Sequence, residues 1–298
     1  MEDLSLVVLN YNSYRDTITC VQSLKELNLG CWIIVVDNAS SDDSVGQIKK
    51  SGILDQKVIL LLSDKNGGYG AGNNIGIRYA KKELGSKYVG ILNPDVIIPS
   101  QEIIPTMYNL LMKSQYSLVG GIPLNHRKEY RLLDSSWNIP SSKEVVTGIS
   151  LQLNRDKKPY FLKMVSQDVA EVECVVGCFF LVKLDHFQEV GLFDENVFLY
   201  NEENIIGIKF KRKGYRVAIM PRLFYYHNHD FSKENRKKTL IAKLKREKVK
   251  YDSRKYLAKT YYSKLIIYPL FMIWLLNCVQ ISVGHLKHKV INGVRKRS

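Results

Sequence analysis

Trp32, Ile33, Ile34, Val35 and Val36 run without a break into Asp37, Asn38, Ala39 and Ser40. An apolar run of that length, rich in β-branched residues, reads as a buried strand, and the polar residues after it mark its end. The pattern recurs on both sides. Leu4 to Leu9 stops at Asn10-Tyr11-Asn12-Ser13, and Tyr88 to Leu92 stops at Asn93-Pro94-Asp95. Val58–Leu62 is another strand, followed by the Gly/Asn-rich stretch Asn66 to Asn74. Helices fit between them. Residues 14–27 carry Cys20, Val21, Leu24 and Leu27 at helical spacing, Ser40 to Asp43 opens a short helix, and Ile77, Ala80 and Leu84 follow the Gly/Asn loop. Strand and helix alternate four times, which predicts an α/β fold with a mostly parallel sheet and right-handed crossovers. Ligands bind such sheets off the carboxyl ends of the strands, so three polar strand ends describe one crevice.

Further along, residues 101–114 read as a helix and 120–170 as irregular. Val172–Val182 reads as a strand crossing the sheet, 201–213 as a helix, and Tyr215–Met220 as a last strand stopped by Pro221. The charge is uneven. Residues 1–232 carry 26 basic and 26 acidic side chains, whereas 233–298 carry 18 Lys and Arg against three Asp and Glu. The whole net charge of +15 therefore lies in the tail. That argues against a catalytic domain that grips nucleic acid and for a tail that meets an anionic surface. It also sets the expected division, a domain over 1–232 and a basic helical region over 233–298. Five cysteines without a C-x-x-C read as reduced core residues of a cytosolic protein. Met1-Glu2-Asp3-Leu4 lacks the basic start of a secretion signal, so the catalytic domain is expected in the cytoplasm.

Each candidate residue has a functional and a structural reading. Asp37 can accept hydrogen bonds from a base or ribose, or close a turn. The glycines of Asn66 to Asn74 let backbone approach a ligand, or make a flexible turn. The stretch is no P-loop, since no Gly-Lys-Ser/Thr follows, and Gly70-x-Gly72-x-x-x-Gly76 misses the dinucleotide fingerprint by one residue. Asp95 can hold a hard divalent cation on a diphosphate, or be a turn residue after Pro94. Glu202 and Glu203 can supply a general base, or complement a helix N-terminus. His227 and His229 follow a strand, and either can bind metal or phosphate.

In their order, these pieces resemble the family 2 inverting glycosyltransferases of GT-A fold, especially rhamnosyltransferase-like bacterial members. The matching segments are Val7 to Asn12, Val35 to Ser40, Asn66 to Asn74, Leu92 to Asp95, Gly177 to Leu181, Gly191 to Glu195, the Glu202-Glu203 pair and His227. The resemblance implies a Rossmann-like sheet and transfer of a sugar, L-rhamnose from dTDP-L-rhamnose, to a lipid-linked or glycan acceptor in cell-surface polysaccharide synthesis. It implies that Asn10, Asn12, Asp37, Asn66, Gly70, Asn73, Asn93 and Asp95 bind the nucleotide sugar. It implies Mg²⁺ or Mn²⁺ on Asp95, with His227 as a further ligand. Glu203 stands where the family has its Asp base, and this departure leaves Glu202 or Glu203 as the base. The Glu-Glu pair also keeps open a non-catalytic, membrane-tethered nucleotide-sugar or glycan binding module.

Leu265 to Gly284 carries no charge and is flanked by basic clusters such as Lys243 to Arg246 and Arg295 to Arg297. Twenty residues are barely enough to span a bilayer. A spanning helix would place one basic flank outside, against the positive-inside tendency. The expectation is a helix lying on the cytoplasmic face of the membrane, held by apolar burial and anionic lipid. A spanning or re-entrant helix, and a soluble dimer or core helix, are the alternatives.

Overall fold

Alternate residues of a strand point to opposite faces of a sheet. In Leu4–Asn10 every residue is buried, so both faces are covered. Leu4, Leu6 and Val8 enter one hydrophobic core and Val7 and Leu9 the other. The same division separates Val35 from Ile34 and Val36 on the next strand.

The computed structural model describes residues 1–125, 127–129, 134–148, 162–228 and 239–295. Its strands are β1 Leu4–Asn10, β2 Trp32–Asp37, β3 Val58–Leu62, β4 Tyr88–Leu92, β5 Val96–Ile97, β6 Tyr116–Leu124, β7 Ser136–Trp137, β8 Lys163–Met164, β9 Ala170–Val172, β10 Cys174–Val175, β11 Phe179–Lys183 and β12 Arg216–His227. Its α-helices are α1 Tyr14–Glu26, α2 Ser44–Lys50, α3 Tyr69–Lys82, α4 Ile103–Lys113, α5 Ser142–Thr147, α6 Leu184–Glu189, α7 Glu202–Lys213, α8 Leu240–Tyr261 and α9 Ile267–Arg295.

Among the described residues, the main sheet has the order β3-β2-β1-β4-β11-β6-β12-β9-β8, with β5 beside β12. The run β3-β2-β1-β4 is parallel and in register, with Asn10 opposite Asp37 and Val8 opposite Leu92. This is the expected α/β sheet flanked by helices. Beyond it, β11 pairs antiparallel with both β4 and β6, and β12 pairs parallel with β6, so the second half is mixed. β3 is an edge strand, and Leu62 at its end is exposed.

Three sequence readings are corrected. Val172–Val182 is not one strand but β9, β10 and β11, interrupted where Gly177 and Cys178 turn toward α7. The last strand does not stop at Pro221. β12 carries it in a bulge, with a register shift against β6 between Ile219 and Phe224, and a bulge needs no amide donor at that position. Residues 116–124, partly assigned to an irregular region, form the internal strand β6. Its Gly120-Gly121 pair marks close packing. A Cβ on Gly120 would meet Val175 at 3.1 Å, and one on Gly121 would meet Leu223 at 2.9 Å.

By contacts the chain forms two compact units. The first comprises Met1–Ile139, Tyr160–Phe198 and Glu202–His229, and the second Pro140–Pro159, Leu199–Asn201 and Asp230–Ser298. In the second, α8 and α9 form an antiparallel hairpin joined by a 3₁₀ turn at Lys264–Ile266. Asn277 of α9 donates to the buried Glu247 carboxylate of α8 at 3.0 Å, and Tyr251 stacks on Trp274 at 4.8 Å. Arg254 donates to the Val145 carbonyl of α5 at 2.8 Å. Lys264–His285 is long and apolar enough, by length and composition, to cross a membrane. His229 and the basic residues Lys296 and Arg297 lie outside the described residues.

Candidate active site

The parallel register puts Asn10 and Asp37 side by side at the carboxyl edge. The Asn10 side chain donates to Asp37 Oδ2 at 2.7 Å. Ser40 adds its backbone N–H to Oδ1 at 3.0 Å and its hydroxyl to Oδ2 at 2.7 Å. Asp37 thus accepts three hydrogen bonds, which leaves about one of its roughly four lone-pair positions. Thr17 fixes the other end of Asn10, donating to Oδ1 at 2.8 Å. Asn12 is exposed with φ +54°, and its Oδ1 accepts from the Ser41 N–H at 2.8 Å. These residues are brought together, and the turn they build uses most of their polar capacity.

The Gly/Asn stretch is only half a loop, because α3 begins at Tyr69. Asn66 accepts from the Asn38 side chain and from the Gly68 N–H, each at 3.0 Å. Gly68 has φ +90°, and a Cβ there would collide with the Phe198 backbone, so only glycine fits. The Tyr69 N–H then donates to the Phe198 carbonyl at 2.9 Å. Gly70 and Asn73 are buried inside the helix. A Cβ on Gly70 would meet Phe193 Cβ at 3.0 Å, and the Asn73 side chain donates to the Tyr69 carbonyl at 3.0 Å. Their surroundings here are protein, not an open crevice. Asn74 was not singled out in the sequence, yet it bonds both backbone groups of Phe193, donating at 3.0 Å and accepting at 3.2 Å, and donates to Glu195 at 2.9 Å.

A second polar cluster lies where the Gly177-Cys178 turn meets the end of β4, the start of α7 and the end of β12. The Asn93 N–H donates to the Cys178 carbonyl at 2.8 Å. Asp95 Oδ1 lies 3.3 Å from His227 Nε2, and both side chains are mostly buried. Burial pulls the His227 pKa down, but the hydrogen bond to Asp95, with Cys178, outweighs it and carries the value up to about 10. On the other side of Cys178, the Gly177 N–H donates to Glu203 Oε1 at 3.1 Å, and the Gly177 carbonyl accepts from the Tyr69 hydroxyl at 2.7 Å. Burial raises the Glu203 pKa, opposed by the N–H groups of Glu203 and Gly177. Burial also raises the Tyr69 phenol well above its usual value, and the charges of Glu203, Cys178, Glu202 and Asp95 add to this. Glu203, Glu202 and Asp95 therefore act on one phenol. Asp37 sits two strands from β4, roughly 10 Å at ordinary strand spacing.

Asp95 offers oxygen donors to a divalent cation, and His227, whose raised pKa keeps its ring protonated beside that carboxylate, would ligate only on losing the Nε2 proton. A hard cation needs only one or two protein carboxylates when substrate phosphates and water fill the rest. Among the described residues no cluster of three or more His, Cys, Asp or Glu suited to a metal occurs. Tyr69 and Gly177 were not singled out as functional residues in the sequence, although both stand inside quoted motifs. Trp137 left no sequence signal, yet its indole N–H donates to Asn204 at 2.8 Å, one residue after Glu203.

Comparison with known proteins gives the family and the fold. The profile of the family described as "Glycosyl transferase family 2" matches residues 5–191. The low-salt glycan biosynthesis hexosyltransferase Agl10 of Haloferax volcanii is 27% identical over 237 residues, covering 76% of this chain and 68% of that protein. The rhamnosyltransferase WbbL of Escherichia coli K12 is 26% identical over 169 residues, covering 55% of this chain and 62% of its own length. The mannosyltransferase PcManGT of Pyrobaculum calidifontis, solved with GDP-Man and Mn²⁺, superposes with a TM-score of 0.57 at 13% identity, covering 97% of this chain and 75% of that one. The last likeness shows a shared GT-A fold.

Proposed function

Since the chain belongs to glycosyl transferase family 2, and is thereby a glycosyltransferase, we propose that it moves a sugar with inversion from a nucleotide sugar to a lipid-linked or glycan acceptor. The donor we propose is dTDP-L-rhamnose, in keeping with the rhamnosyltransferase among its relatives. The product would enter cell-surface polysaccharide at the cytoplasmic face of the membrane. The observation that carries this reading is that Glu203 and Tyr69 bond the backbone of Gly177 while His227, paired with Asp95, meets the side chain of the next residue, Cys178.

In the reaction, the acceptor hydroxyl oxygen forms a bond to the anomeric carbon as the bond to the diphosphate oxygen breaks. The diphosphate leaves with the electron pair, and the configuration inverts. Glu203 takes the hydroxyl proton, a step typically contributing ~10²–10⁴-fold. Its raised pKa makes it a stronger base than an exposed glutamate. Asn10, Asp37 and the Asn66 turn shape the nucleotide end of the crevice. Asp95 and His227 would hold Mg²⁺ or Mn²⁺, which when bound neutralises charge on the departing diphosphate.

The test is Glu203→Gln, assayed for transfer and, by calorimetry, for donor binding. We expect transfer to fall at least ~10²-fold with donor affinity unchanged. Turnover near the wild-type rate would remove Glu203 from the base role and leave Glu202 to be examined.

A further inference from the structure

The α8–α9 hairpin carries an apolar strip and a set of ammonium groups on one piece of structure. Tyr268, Met272, Leu276, Val279 and Val283 recur every three or four residues on α9 and are 74%, 58%, 58%, 60% and 45% exposed. Residues so spaced share one side of a helix, and an apolar strip of this length is not an ordinary water-facing surface. The opposite side is occupied. Leu270 is fully buried, Asn277 is held by Glu247, and Trp274 lies against Tyr251. Lys248 and Lys255 each place their ammonium 6.0 Å from the centre of that same Tyr251 ring, Lys248 also pairing with Asp252. Positive charge therefore stands on α8, beside the ring that packs on the side of α9 opposite the strip.

Two features decide what covers it. Residues 233–298 hold 18 Lys and Arg against three acids, so a second copy would be repelled and an anionic surface attracted. And α9 does not travel alone. The pairs Glu247–Asn277 and Tyr251–Trp274 run antiparallel, so α8, with eight Lys and Arg and two acids, lies along the apolar stretch. A membrane-crossing α9 would draw those charges into hydrocarbon, where each is costly.

We propose that the α8–α9 hairpin lies in the plane of an anionic lipid bilayer surface and does not cross it. The outer strip of α9 sinks into the boundary between headgroups and acyl chains, and Lys248 and Lys255 reach the lipid phosphates. The Glu247–Asn277 hydrogen bond is the device that keeps α9 parallel to the surface. This deepens, and rests on, the reading of a membrane-associated transferase.

The full chain is mixed with vesicles of phosphatidylcholine, with and without phosphatidylglycerol, and floated. We expect flotation only with phosphatidylglycerol, lost at high salt. Met272→Asp with Val279→Asp should abolish it, and Lys248→Gln with Lys255→Gln, which leaves the strip intact, should weaken it about tenfold. In inside-out membrane vesicles from cells making the full chain with a C-terminal epitope, added protease should remove the epitope. A protected epitope means that α9 crosses, and overturns the in-plane seat while sparing the membrane reading. Absence of flotation on every vesicle overturns both, and sugar transfer measured on the same sample keeps the enzymatic reading separate. A soluble dimer split by Val279→Asp would hand the strip to a second copy and also overturn the proposal.

Discussion

Glu203 keeps its proton more tightly in the folded chain than an exposed glutamate, because burial disfavours the carboxylate. Ionising it therefore opposes folding. The stability tied to its protonated form is fully present below the unfolded value and is lost as pH rises through the raised folded value. Glu203→Gln, which mimics the protonated group, should raise the urea midpoint at pH 8, and the difference from wild type should vanish near pH 4. The same sign applies to rate. Transfer should rise with pH along a limb lying above the ordinary glutamate range, measured as kcat against pH with saturating donor. Tyr69→Phe removes the hydroxyl that holds the Gly177 carbonyl and, through that residue, the N–H donated to Glu203. We expect a stability loss of about 1 kcal/mol in urea and a shift of the acid limb to higher pH. A purely structural hydroxyl would leave that limb in place. The sequence placed Glu203 at the position of the family's base but left the choice between it and Glu202 open. The difference between them is tertiary, since the Gly177 N–H that reaches Glu203 comes from 26 residues away.

Helix α3 owes its seat to what its glycines lack. A Cβ on Gly76 would meet Val7 Cγ1 at 2.6 Å and Val36 Cγ2 at 3.0 Å, and one on Gly72 would meet Leu9 Cδ1 at 2.6 Å. Gly76→Ala gains about 1 kcal/mol of helix propensity. Against that, overpacking a filled core costs about 1–3 kcal/mol, and Val7 and Val36 are stiff, buried and β-branched. Overpacking should win, with a net loss of about 1 kcal/mol or more by urea denaturation. This spacing also explains why the stretch misses a dinucleotide fingerprint, since these glycines serve packing of helix on strand. Elements with continuous apolar runs, β1, β2 and β4, were legible from sequence because both faces of each are covered. β6 was not, because Gly120, Gly121 and Pro123 look like turn residues until Val175 and Leu223 are seen packed against the glycines. The break within Val172–Val182 was equally hidden, because Gly177 turns to meet a glutamate far along the chain.

Across the molecule, charge and chemistry are kept apart, a neutral balance over 1–232 and the entire excess beyond it. That much was readable from counting, as was the order of motifs along the carboxyl edge of the sheet. The joining of Asp95 to His227 depends on β12 running past Pro221, which the sequence argued against. A donor bound across this edge should stabilise the fold by mass action, about 2.7 kcal/mol at a hundred times its Kd. In a panel of nucleotide sugars we expect dTDP-L-rhamnose with Mn²⁺ to give the largest rise in Tm and to give little without the metal. The margin formed by β3 has a different consequence. Its sequence Val58-Ile59-Leu60-Leu61-Leu62 has neither charge nor proline, and among the described residues no strand pairs with its outer side. Such a border can recruit a like segment from another polypeptide and seed fibrils. Lys57 before it and Asp64-Lys65 after it are the gatekeepers, and Lys57→Val should make concentrated preparations turn cloudy on warming well before the wild type does.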